Sequence, residues 1–154
     1  MEYLKQDRAT QAPKCTLKAI RVVRGDGYRP AIDVLFKYLD FTPLPPGVPP
    51  EMNASPPTNG VYPAADALFQ FGETVLPRIK QVIRNNNEST LTRFNAARIY
   101  FGLKPGPDAI RFIVNAANNA DDSEAATGLL QFAEEAVPYC SEQQREECKL
   151  AVSQ

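Results

Sequence analysis

The chain has no histidine among its 154 residues, so its chemistry must come from three cysteines, scattered carboxylates, and lysines and arginines. Without imidazole neither a Ser-His nor a Cys-His nucleophile can be assembled, and most zinc sites lose their usual ligand. The adjacent acids Asp121-Asp122, Glu134-Glu135 and Glu146-Glu147 do not repair this. Neighbours on a helix point about 100° apart and do not converge on one site. Solvated charge is the expectation for all three pairs. Gly25-Asp26-Gly27 is not a Gly-rich phosphate loop and reads as a helix stop. No catalytic residue, no metal-ligand set and no cofactor is expected, and the chain reads as a non-enzyme.

Cys15, Cys140 and Cys148 are too few for a disulfide framework, and an odd count leaves at least one unpaired within the chain. On one continuous helix Cys140 and Cys148 would stand about 12 Å apart along the axis, too far for a bond. Buried or idle thiols are therefore expected, unless the chain bends between them. Asn53-Ala-Ser55 and Asn87-Glu-Ser89 match the glycosylation acceptor pattern, but both read as turn residues.

The net charge of −1 hides a gradient. Residues 76–104 carry Arg78, Lys80, Arg84, Arg93, Arg98 and Lys104 against the single acid Glu88. Residues 105–154 reverse the sign, with acids far outnumbering Arg111, Arg145 and Lys149. A bipolar molecule suits protein partners or self-association better than nucleic acid, which requires a dominant basic face. No run approaches the roughly 18 apolar residues of a membrane span. The segment Met1-Glu-Tyr-Leu-Lys-Gln-Asp-Arg8 lacks the apolar stretch of a signal peptide. This favours a chain that stays in the cytoplasm, with an exported form open if a signal was removed.

The elements that would position these residues come from an internal repeat. Arg29–Leu39, Glu73–Ile83 and Pro107–Ala117 superimpose without gaps. They share the apolar columns Ala31/Val75/Ala109, Ile32/Leu76/Ile110, Leu35/Ile79/Ile113, Tyr38/Val82/Ala116 and Leu39/Ile83/Ala117. That i, i+1, i+4, i+7, i+8 spacing is one buried stripe of a helix. Each copy follows another helix-like segment, at Cys15–Val23, Ala64–Phe71 and Thr90–Leu103, stopped by glycine or proline. Pro77 falls in a first helical turn, where a missing N–H is tolerated. A fourth pair runs from Ser123 as N-cap to Val137, stopped by Pro138, then from a capping box at Ser141-Glu-Gln-Gln144. One domain spanning 1–154 is expected, interrupted at 41–60 by a proline-rich insert. We expect this insert to lie ordered against the helices, with Phe41, Leu44, Val48 and Met52 as anchors. The alternative is an arm presenting Leu44-Pro-Pro-Gly-Val48 in polyproline form.

Two stretches carry a family resemblance. Val75-Leu-Pro-Arg-Ile79 resembles the start of the second helix of a HEAT-like repeat, and Arg93-Phe-Asn-Ala-Ala-Arg-Ile-Tyr-Phe-Gly102 its first-helix pattern. Leu39-Asp40 and Asp121-Asp122-Ser123 resemble the acidic turns between repeats, whereas Asn85-Asn-Asn87 and the last helix depart from the pattern. The chain is similar, over roughly residues 14–137, to the HEAT-like repeats of phycobilisome lyase relatives. The resemblance implies an all-α, right-handed α-α superhelix of about four two-helix repeats, whose second helices line a concave surface for a protein partner.

Once the buried columns are subtracted, that surface holds Lys37, Lys80, Gln81, Arg84, Arg111 and Asn115, with Asp33, Asp40 and Asn118 beside them. It reads either as a solvated face or as a moderately basic groove for an acidic peptide or protein. The alternative role is an assembly unit or fragment of a longer solenoid, and the third an enzyme accessory role like that of the bilin lyases. Some HEAT-like folds remove damaged bases from DNA, but the absence of Trp and the negative net charge argue against that.

Overall fold

The computed structural model describes residues 2–5, 13–44 and 61–153. Among them the protein is all-helical: α1 Pro13–Asp26, α2 Ile32–Phe36, α3 Pro63–Gln70, α4 Leu76–Arg84, α5 Thr90–Leu103, α6 Pro107–Asn118, α7 Ser123–Ala136 and α8 Arg145–Val152. The insert's residues 45–60, with Val48 and Met52, lie outside the described residues.

The aligned apolar columns are the inner faces of α2, α4 and α6 with their flanking turns. Leu35, Ile79 and Ile113 are fully buried, as are Leu39 and Ile83, while Ile32 and Leu76 are half-buried. The first two copies are shorter helices than their spacing predicts. Arg29–Ala31 and Gly72–Val75 are tight 3-10 turns leading into α2 and α4. After Phe36 the backbone bonds again close over three residues, Lys37 N–H to Val34 and Tyr38 N–H to Leu35. These tight turns still carry Tyr38 and Leu39 inward, where the Tyr38 hydroxyl donates to the Leu4 carbonyl at 2.9 Å.

The helices touch in two successions. α1 packs on α3, α3 on α5 and α5 on α7; α4 touches α6, and α6 packs on α8. α2 lies on α3, α4 on α5 and α6 on α7, joining the two sets. An Arg78–Asp33 ion pair ties α4 to α2. Close approach within the first set requires Gly102, because a Cβ there would stand 2.8 Å from the Phe69 ring. Gly102, in the last turn of α5, is thus a packing residue as well as a mark of the helix's end at Leu103. Gly72, at φ +63°, makes the left-handed turn that ends α3.

Three local expectations are corrected. Asp122, not Ser123, caps α7, its carboxylate accepting from the N–H groups of Glu124 and Ala125. The capping box at Ser141 does not form: residues 142–144 make a 3-10 turn, and the Ser141 hydroxyl donates to the Gln144 side chain instead. Cys140 and Cys148 are not idle thiols but a disulfide, while Cys15 is free and exposed. The chain bends between them, with Cys140 extended after the turn at Val137–Tyr139, so their Cα atoms stand 6.8 Å apart. The turn reading of Asn87-Glu-Ser89 holds, with Asn87 N–H donating to the Asn85 side chain and Ser89 capping α5.

Candidate functional site

The basic stretch 76–104 divides into an internal and an external part. On α5 the side chains of Arg93, Asn95 and Arg98 are at most 1 % exposed. Arg93 donates from Nε to the Ile83 carbonyl at 2.9 Å, from Nη1 to the Asn86 side chain at 3.1 Å and from Nη2 to the Ala116 carbonyl at 3.3 Å. Ile83 and Ala116 lie in the last turns of α4 and α6, where unpaired carbonyls gather negative potential. One guanidinium therefore caps two helices. Burial pushes Arg93 below the usual arginine range, and the charges of Asp122 and Asp121 oppose that fall.

Asn95 Nδ2 donates to the Leu39 carbonyl at 2.8 Å, and its Oδ1 accepts from Arg98 at 3.3 Å. Arg98 lies 5.4 Å from the centre of the Tyr62 ring. Burial pushes Arg98 down, while Tyr62 and Asp66 hold it charged. Burial likewise pushes the Tyr62 phenol up, partly offset by Arg98. Arg93 and Arg98, two of the cations counted in the basic stretch 76–104, are thus fastenings inside the molecule.

The outer part lies on α4 and its neighbours. A groove of about 610 Å³ runs between α2, α4 and the start of α5, with Phe36, Lys37, Asp40, Arg78 and Gln81 in its wall. A second hollow of about 370 Å³ lies between α4, α6 and α8, lined by Arg84, Arg111, Phe112 and Asn115 among others. The expected site residues therefore divide between two hollows: Lys37 and Gln81 in the first, Arg84, Arg111 and Asn115 in the second. Lys80 lines neither. Its ammonium stands 5.0 Å from the Tyr100 ring centre and 5.4 Å from that of Phe112, half-buried between α4 and α6.

Aromatic seats are the feature that sequence reasoning missed. The Arg84 guanidinium lies 4.3 Å above Phe112, and Arg78 lies 4.3 Å above Phe36. A cation over a ring is attracted to the negative π face while keeping its charge outward. Phe36 and Phe112 stand beside the buried columns of their segments, but nothing in the alignment pairs them with Arg78 and Arg84. Arg111 differs, being ion-paired with Asp108 at 2.7 Å on its own helix. The described residues hold no cluster of His, Cys, Asp or Glu that could bind a metal, and no helix long and apolar enough to cross a membrane. No family model, characterised protein or solved structure matches this chain.

Proposed function

We propose that the chain is a non-catalytic binding module, a right-handed α-solenoid of about four HEAT-like repeats that holds an acidic segment of a protein partner along its second helices. The succession of odd helices from α1 to α7, with that of the even helices from α4 to α8, supports the solenoid reading. The binding reading rests on the seating of Lys80 and Arg84. Both lie over aromatic rings, and among the described residues no carboxylate is ion-paired with either. Their charge is held in place by packing yet remains available to an incoming anion. Gln81 and Asn115, exposed beside them, offer donors and acceptors to a polar partner. The Cys140–Cys148 bond supports an exported form over a cytoplasmic one, since such bonds persist in oxidising compartments.

The test compares the wild-type chain with a Lys80→Glu/Arg84→Glu/Arg111→Glu variant. Partners captured from the source cell are identified, and their acidic segments are titrated as labelled peptides. The expected result is at least about a tenfold loss of affinity in the variant, with binding that weakens as salt rises. Undiminished binding by the variant would return these residues to the solvated face.

A further inference from the structure

We infer that copies of this chain associate head to tail, the basic face of α1 in one copy seated on the acidic face of α7 in the next. The exposed stripe of α1 is Lys14, Lys18 and Arg21, at i, i+4 and i+7, opposite its buried Thr16, Ile20 and Val23. Residues 13–25 contain no acid. The exposed stripe of α7 carries Glu124 and Glu134 at its two ends, with Thr127 and Gln131 between, opposite the buried Leu129, Phe132 and Ala133. Residues 112–144 contain no lysine or arginine. Each stripe also has a large apolar neighbour in solvent: Val22, 56 % exposed, beside the first, and Tyr139, 53 % exposed, beyond the second.

Position turns these two faces into an interface. α1 and α7 stand at opposite ends of the succession α1, α3, α5, α7. Packed helix axes lie about 8–10 Å apart, so three steps separate them by roughly 25–30 Å. That exceeds side-chain reach and the Debye length of about 8 Å at physiological salt. The two stripes cannot neutralise each other within one molecule. A second copy that continues the succession sets α7 against α1 with opposite charges facing, and leaves an equivalent pair of faces free at the ends. Such a contact is heterologous, so it propagates as an open chain unless its rotation closes a ring. Exposed ion pairs are individually weak and screened, so assembly is expected to depend on concentration and salt. This face is separate from the α4 groove, and neither reading requires the other.

Sedimentation velocity on the full chain tests the inference. Wild type should grow beyond the monomer with concentration at about 20 mM salt and return to monomer near 0.5 M. Lys14→Glu/Lys18→Glu/Arg21→Glu and Glu124→Lys/Glu134→Lys should each weaken self-association about tenfold or more alone. Mixing the two reversed variants should restore association, because each then offers the other a complementary face. Cys15, the exposed free thiol on α1, supplies an independent readout: in a Gln131→Cys variant, oxidation should join Cys15 of one copy to position 131 of another. A monomer at all concentrations in low salt overturns the inference, as does association that survives both reversals. Loss of association only on reversing Lys80 and Arg84 overturns it too, by moving the interface to the groove.

Discussion

Helices α4 and α5 pack against each other, and both draw on the same basic stretch of sequence, yet their cations are used in opposite ways. On α5 the guanidiniums of Arg93 and Arg98 are taken out of water and bonded to carbonyls, an amide and a phenol-bearing ring. On α4 Lys80 and Arg84 lean on aromatic faces, with Arg84 exposed to solvent. The difference follows from where each helix sits. α5 contacts α3, α4, α6 and α7, so a cation on any of its faces meets protein and must be satisfied there. α4 has one open side, so its cations keep their hydration and need only a surface to rest on. Charge on a helix is therefore a fastening or a handle according to the number of neighbours around it.

The sharpest way to break this contrast is Arg93→Ala. It removes hydrogen bonds to two helix ends and leaves the Ile83 and Ala116 carbonyls without that donor, so a loss of about 3–5 kcal/mol is expected in denaturant unfolding. Arg93→Lys should recover only part of this, because an ammonium cannot span both carbonyls as a planar fork does. A loss below about 1 kcal/mol for Arg93→Ala would place this arginine with the handles. Asn95→Ala comes next, at about 1–3 kcal/mol, since it strips the donor from the Leu39 carbonyl and an acceptor from Arg98.

A third expectation concerns pH. The folded state raises the Tyr62 phenol above its ordinary value near 10. Its contribution is therefore complete below about pH 10 and is lost as pH rises through the folded value. Tyrosinate absorbance should show a phenol that ionises above the ordinary tyrosine range, and a Tyr62→Phe variant should lose that late phase. Ionisation of every tyrosine together near pH 10 in the folded chain would contradict the burial of this group. The smallest effect belongs to the handles. Lys80→Ala and Arg84→Ala should each cost no more than about 0.5–1 kcal/mol, the scale of an exposed cation–π contact. A loss at either site comparable to that of Arg93 would erase the distinction between the two helices.

How much of this was legible in the sequence depends on the range of the interaction. The inward stripes of α2, α4 and α6 were legible because a helical period repeats them in three aligned segments, and Leu35, Ile79 and Ile113 are fully buried as that period requires. Pro77 was legible for a similar local reason, since its ring fits the first turn of α4. Asp122 as the cap of α7 was misassigned by one residue, because Asp and Ser are about equally good caps and only the backbone turn selects between them.

The Cys140–Cys148 bond was misjudged because spacing along a straight helix says nothing of a chain that turns after Ala136. The expected groove residues are all on or beside the even helices, but their partition between two hollows depends on how α4 lies between α2 and α6.

By itself the sequence determined the helical class, the stripe that faces inward and the absence of imidazole chemistry, all of which follow from residue type and a period of about 3.6. Only the tertiary structure decided which cations are internal. Arg93 and Arg84 are the same residue type, nine positions apart; the apolar columns put Arg84 outside, but no local pattern puts Arg93 inside. What separates them is that the ends of α4 and α6 arrive at Arg93 from distant parts of the chain, while the side of α4 that carries Arg84 lies open to solvent.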